Sequence, residues 1–156
     1  MVTETRSNID FEAIIKELDE WIVKVGYFDA AHYADGTPIA YVAAIQNLGY
    51  AAGGIPPRPT LQPAMDANKE LYKKMVKRAF QNAINGAPIT QGLDALGEVA
   101  AANVKQAITE LRSPSLEDTT VAARARRHSG GIASDKPLVD TGQMLQATTY
   151  AVERSE

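Results

Sequence analysis

Two long segments with helical periodicity, separated only by Gly86-Ala87-Pro88, constrain this chain more than any other feature of its sequence. Apolar residues recur every three or four positions over about residues 63–85, and again over about residues 90–111, which predicts two amphipathic helices. Glycine and proline between them are residues that end a helix. Because the connection is so short, we expect the two helices to pack as an antiparallel pair.

The other periodic segments are shorter and mix helix with strand. Helices are predicted over about residues 9–20 and 38–48, and the β-branched and aromatic residues of about 21–28 predict a strand. A short helix and a closing strand are predicted within about residues 140–154. Two isolated strands are not stable, so we expect them to pair with each other or with a hairpin from the loops. The predicted fold class is α+β, a small antiparallel sheet packed against a long antiparallel helix pair, with extended loops or arms.

Length and composition limit the classes of protein that need consideration. The 156 residues fit a single domain spanning 1–156, interrupted by a long loop at about 113–137 with at most a short helix in it. There are no cysteines, which excludes disulfides and thiolate metal sites, and the net charge of −3 argues against a globally basic nucleic-acid binder. No apolar run reaches the length of a membrane span, and we expect no membrane association.

A proline-rich segment at residues 55–59 lies directly before the first long helix. Proline fixes its own backbone and biases the preceding residue toward extended geometry, so the segment is expected to be stiff and to present Arg58 outward. The glycine-bearing residues 50–54 before it are expected to be mobile. The segment is interpreted either as a contact arm or as a spacer between two helices. Its members are Ile55, Pro56, Pro57, Arg58 and Pro59.

Two groups of residues are candidates for chemistry or for binding polyanions. Asp29, His32 and Asp35 follow the first strand and together resemble a metal or proton-transfer site, although a turn explains Asp35-Gly36 as well. No glycine-rich loop matches a nucleotide-binding pattern, and no cofactor is expected. The second group consists of basic residues on the first long helix and in the long loop. They are candidate contacts for DNA or an acidic partner, and a solvated surface is the alternative. They are Lys73, Lys77, Arg124, Arg126 and Arg127.

The order of several motifs resembles a known family, the phage tail-component proteins of the HK97 gp10-like, neck or tail-completion type. The matching features are an early strand followed by an aspartate, a short helix ending at Gly49, the segment Ile-Pro-Pro-Arg-Pro before a long helix, and Lys-Pro-Leu-Val-Asp-Thr-Gly-Gln-Met at residues 136–144 before a final strand. Asn47-Leu48 and Thr60 depart from that pattern. The resemblance covers about residues 22–154.

The resemblance implies a non-enzymatic virion protein that assembles in the host bacterial cytoplasm and forms a sixfold ring at the head–tail joint or the top of the tail. Its implied partners are copies of itself, the head–tail connector and tail-tube or terminator proteins, and DNA contacted non-specifically in the channel. A tail terminator ring, a small nucleic-acid-binding module and an enzyme using His32 are the alternatives. The residues expected to contact partners are those of 55–59 together with Lys136, Pro137, Asp140 and Thr141.

Overall fold

A computed structural model describes residues 10–28, 30–127, 136–138 and 142–155 of the chain. Over this part the fold is α+β, as the sequence predicts. The helices are α1 (Phe11–Asp19), α2 (Ile39–Leu48), α3 (Leu61–Ala67), α4 (Lys69–Ile84), α5 (Ile89–Glu110), α6 (Asp118–Arg127) and α7 (Gln143–Ala147), and the strands are β1 (Trp21–Gly26) and β2 (Thr149–Arg154).

The helices α4 and α5 form the predicted antiparallel pair. Gly86, at φ 90°, reverses the chain between them, as the stop signal predicts. The two helices approach so closely that a Cβ built at Gly92 would lie 2.3 Å from the Cβ of Ala79. At the other end of the pair, Asn103 Nδ2 donates a hydrogen bond to the Tyr72 hydroxyl at 3.0 Å. Small residues at the crossing therefore allow the backbones to approach one another.

The strands β1 and β2 pair with each other in antiparallel register, with Val23 opposite Val152 and Val25 opposite Tyr150. Alternation along the strands turns Trp21, Val23 and Val25 toward α5, while Lys24 lies on the opposite face. Within the described residues, each strand pairs only with the other, so both sheet edges are open.

The core consists of small clusters, two of which include residues of α5. One cluster joins α4 and the start of α5 to the sheet, the middle one joins α3 to α5, and a further one joins α2 to α7. Val104 and Ile108 are fully buried in the middle cluster and lie at the centre of the fold. The buried residues of the three clusters are Ala79, Ile89 and Leu93, then Ala64, Val104 and Ile108, and finally Ile39, Ala43 and Met144.

The segment predicted as one helix over 63–85 is two helices that meet at Asn68. The amide Nδ2 of Asn68 donates to the Ala64 carbonyl at 2.9 Å, and the Asn68 backbone leaves helical geometry at φ −108° and ψ 9°. A side chain that bonds its own helix competes with the backbone in this way. The first helix also begins earlier than predicted, at Leu61, because Pro63 is tolerated in a first turn whose N–H groups have no helical partner.

The long loop contains α6, close to the short helix that the sequence allows near residues 117–127. The closing helix α7 begins at Gln143, with Gly142 as its N-cap at φ 74° and no side-chain cap. The sequence predicts a capping box starting from Asp140, which lies outside the described residues.

Candidate functional site: a cleft between the two motif segments

A cleft of ≈ 680 Å³ lies between the C-terminal half of α2, the proline-rich segment, α6 and the beginning of α7. Its walls include Arg58 from the first motif, Arg124 from α6, and Leu138 and Gln143 from the second motif. The two motifs, which are about 80 residues apart in the chain, therefore meet at one place in the fold. We take this cleft as the candidate site.

The proline-rich segment forms the first wall because the backbone before and within it is hydrogen-bonded to the end of α2. Tyr50 and Ile55 exchange two backbone hydrogen bonds, of 2.8 and 3.0 Å, around a short 3₁₀ turn (Ala51–Gly53). The Arg58 N–H then donates to the Gln46 carbonyl at 2.7 Å. Residues 50–54, which the sequence predicts to be mobile, form a hydrogen-bonded turn directly before the prolines.

Arg58 points into the protein, and the prediction that it is presented outward is wrong. Its side chain is only 5% exposed. Nε donates to the Pro114 carbonyl at 3.1 Å and Nη2 to the Ser115 carbonyl at 2.9 Å, while Nη1 donates to Gln46 Oε1 at 3.3 Å. The prolines fix the backbone path but not which side of it faces the fold. Distant carbonyls that need a donor decided the orientation.

The other wall is built around Arg124, which is 8% exposed on α6. Its Nη1 donates to the Lys136 carbonyl at 2.9 Å and so ties α6 to the second motif. The next residues are the buried Pro137 and Leu138, whose φ of 63° is unusual for a side-chain-bearing residue. Burial first, and then the positive charge of Arg124, lower the pKa of the Arg58 guanidinium from its ordinary value. Two buried arginines thus line one cleft.

The remaining predicted contact residues divide by exposure. Pro57 and Pro59 are exposed, Ile55, Pro56 and Lys136 are partly buried, and Asp140 and Thr141 lie outside the described residues. The structure therefore exposes two of the prolines at the protein surface, whereas the arginine between them is buried and lines the cleft.

The predicted DNA contacts also separate. Lys73 is exposed and pairs with Glu70 at 2.7 Å, Lys77 is exposed, and Arg126 is exposed with its Nε bonded to the Ala122 carbonyl at 3.2 Å. The side chain of Arg127 lies outside the described residues. Arg124 departs from the prediction that it contacts DNA. Its guanidinium is buried and donates to the protein's own backbone, so it is not placed to contact a passing duplex.

The turn after β1 accounts for Asp35 without chemistry. Asp35 Oδ1 accepts a hydrogen bond from the Thr37 N–H at 2.9 Å, and the hydrogen bonds from Thr37 hold the pKa of this carboxyl below its ordinary value. The backbone of His32 pairs with that of Pro38. Asp29 lies outside the described residues, and within the described ones no three His, Asp or Glu side chains are grouped to hold a metal ion.

Sequence reasoning missed the acceptors that hold Arg58. Two of them are main-chain carbonyls, of Pro114 and Ser115, which have no signature in the side-chain sequence. The third, Gln46, stands on a helix whose apolar spacing drew attention to its neighbours instead. The dipeptide Ser113-Pro114 lies next to these carbonyls, but as a sequence pattern it indicates only the end of a helix.

A second surface lies beside the cleft, on α2 and the residue group that follows it. Tyr41 is 62% exposed, Leu48 76% and Tyr50 53%. Tyr41 and Leu48 are seven residues apart, which places them on one stripe of the helix. A shallow groove of ≈ 340 Å³ next to this stripe is lined by Tyr27, Phe28 and Leu48 among others.

No protein-family model, curated protein or solved structure matches this chain. Within the described part of the chain, no helix has the length and apolar character needed to cross a membrane.

Proposed function

We propose that this chain is a non-enzymatic structural subunit of a tailed-phage virion, a neck or tail-completion component that assembles with copies of itself into a ring. The observation that carries the proposal is the apolar surface formed by Tyr41, Leu48 and Tyr50, which we call the α2 surface. Tyr41 and Leu48 lie on α2 and Tyr50 lies just beyond its end. Large apolar side chains exposed close together are typical of protein–protein interfaces, where aromatic residues are enriched.

The thin core supports the same proposal. Within the described residues, the buried apolar side chains include many alanines, and the sheet has two strands, each paired only with the other. A two-stranded sheet is marginal by itself, and unpaired edges readily accept another strand. Contacts with neighbouring subunits would bury this surface, and a ring offers each subunit two different neighbouring faces.

The meeting of the two motifs at one cleft gives the resemblance a physical meaning. The segments that carry it are joined through Arg58 to Pro114 and Ser115, and through Arg124 to Lys136. They therefore serve this subunit's own architecture, while Pro57 and Pro59 remain accessible beside the α2 surface. In the proposed ring, this end of the molecule contacts the neighbouring subunit. Of the predicted DNA contacts, the exposed ones among the described residues are Lys73, Lys77 and Arg126.

Assembly is tested by measuring the mass of the purified protein by light scattering, alone and mixed with the connector and tail-tube proteins of the same phage or prophage. Negative-stain microscopy of the same samples gives the ring symmetry. We expect rings, formed either by the protein alone or on its partner, because ring subunits often order only on assembly. A protein that stays monomeric in every mixture and is absent from purified particles would contradict the proposal.

A charge placed on the α2 surface locates the interface. Leu48→Glu should abolish assembly while leaving the far-UV circular dichroism and melting temperature of the subunit nearly unchanged, because the wild-type side chain is mostly in solvent. Leu71→Glu, on α4, is the matched control at 43% exposure and should assemble normally. Equal behaviour of the two variants would remove the α2 surface from the proposed interface.

A further inference from the structure

Arg58 is a buried cation whose described partners carry no negative charge. Its three acceptors among the described residues are two backbone carbonyls and one side-chain amide, and no carboxylate in this part of the chain pairs with it. Burial of a charge is costly unless an opposite charge compensates it. The positive charge of Arg124, which lines the same cleft, increases that cost.

The guanidinium also has donors to spare. Arginine has five N–H bonds, and three of those of Arg58 have acceptors among the described residues, one on each nitrogen. The two terminal nitrogens therefore each keep an N–H without an acceptor in this part of the chain. Two N–H bonds from one planar guanidinium are the donors that bind oxyanions such as carboxylate and phosphate.

The space beside Arg58 is sufficient for such a group. The cleft of ≈ 680 Å³ is open to solvent and has polar groups besides the arginines, including Gln46, Thr120 and Gln143. The carboxyl groups on its walls, Asp35 and Glu117, are on exposed residues, and Asp35 is engaged with Thr37. The two arginines and two carboxylates on the walls balance in charge, so the attraction for an anion comes from the buried guanidinium of Arg58 and not from the net charge of the cleft.

We propose that the cleft is an oxyanion-binding site in which the guanidinium of Arg58 binds the anion. The oxyanion is a carboxylate from a protein neighbour or a phosphate group, and the two sources share the same recognition by the arginine fork. All residues of this site belong to one subunit, so the proposal of anion binding is independent of the proposed ring assembly.

The direct test is a titration of the ¹⁵N-labelled protein with sodium acetate and, separately, with sodium phosphate, at constant ionic strength set with sodium chloride. The reporters are the side-chain N–H signals of arginine. We expect saturable shifts at Arg58 and only small, linear ones at the exposed Arg112 and Arg126. Preference for acetate assigns the site to a carboxylate, and preference for phosphate assigns it to a phosphate group. No saturable shift with either anion overturns the proposal.

A variant pair locates the site. Arg58→Lys keeps the charge but loses the planar fork, and should raise the dissociation constant for the anion about tenfold. Arg126→Lys makes the same chemical change at an exposed position of α6 and should leave it unchanged. Anion-dependent melting temperatures of both variants correct for general stabilisation by salts. Equal anion response in the two variants also overturns the proposal, and if Arg58→Lys does not fold, the titration of the parent protein decides.

Discussion

At the scale of single residues, Gly92 and Gly97 of α5 determine how closely α4 and the sheet can approach this helix. Gly97 is buried, and a Cβ at this position would lie 2.2 Å from Cδ2 of Tyr150 on β2. The aromatic ring of Tyr150 thus lies directly on the helix backbone. Glycine is unfavourable inside a helix by about 1 kcal/mol relative to alanine, so its presence here reflects packing against the sheet.

Substitution of Gly97 tests this packing. Gly97→Ala should lower the free energy of unfolding by about 1 to 3 kcal/mol, because the overlap with Tyr150 exceeds the gain in helix propensity. Denaturant unfolding followed by fluorescence of Trp21, the single tryptophan, measures it. In a Tyr150→Ala background the same change should be neutral or stabilising. A destabilisation of equal size in both backgrounds would rule out the ring contact as the cause.

Asp35 gives a prediction with a defined pH dependence. Hydrogen bonds from Thr37 hold its folded-state pKa below the ordinary value of 3.8. A lowered folded-state pKa means that the ionised carboxylate stabilises the fold above about pH 3.8, and that this contribution is lost as the pH falls through the folded-state value. The melting-temperature difference between the parent and Asp35→Asn should therefore shrink in acid. A ¹³C titration of the Asp35 carboxyl at or above 3.8 would contradict this assignment.

At the scale of elements, the end of α2 and the proline-rich segment are built as one unit. Gly49 ends α2 at φ 78° and ψ 167°, and a Cβ there would lie 2.8 Å from the Pro57 nitrogen. The segment then bonds to Gln46 and places Arg58 under the 114–115 backbone. A stiff sequence thus serves intramolecular docking, and the interpretation as a spacer describes its course better than that of a free arm.

Two glycines with positive φ provide a matched test of that unit. Gly49→Asn should destabilise by roughly 3 kcal/mol or more, because both the backbone conformation and the contact with Pro57 exclude a side chain. Gly54→Asn should cost at most about 1 kcal/mol, since Gly54 has left-handed helical geometry with open space around it. Thermal and urea unfolding compare them. Similar costs for the two would mean that the segment is not seated on α2.

At the scale of the whole molecule, α5 organises the fold. The helices α3 and α4 and both strands pack on it, and the core clusters follow its length. The elements around it bury few large side chains of their own; α1 has no buried residue and keeps Phe11 and Ile15 about half exposed. Stability is therefore concentrated along one helix, while the periphery retains apolar surface for other molecules.

Two isoleucines measure this contrast. Ile108→Ala should lower the free energy of unfolding by about 2 to 5 kcal/mol, because the side chain is fully buried and leaves a cavity. Ile15→Ala, at 49% exposure on α1, should cost less than about 1 kcal/mol. Urea unfolding monitored by circular dichroism gives both values. A cost at Ile15 as large as that at Ile108 would place an essential part of the core at α1.

The features of this protein that depend on residues a few positions apart are predictable from its sequence. The helix pair, the break signalled by Gly86, the strand at residues 21–26 and the turn at Asp35 all follow from periodicity, glycine and side-chain capping. The break at Asn68 is also local. The apolar spacing continues through this position and predicts one helix, whereas the Asn68 side chain donates to the Ala64 carbonyl and competes with the backbone hydrogen bonds of the helix.

The direction of the Arg58 side chain and the meeting of the two motifs at one cleft depend instead on tertiary packing. Arg58 finds carbonyls 56 and 57 positions away, and Gly97 accommodates a ring from a strand more than 50 residues later. Such partners are selected by the requirement to satisfy buried donors and to fill space after the helices have packed. Sequence patterns over a few residues do not indicate which distant groups will meet these requirements. The stiff segment was therefore predictable, and the inward direction of its arginine was not.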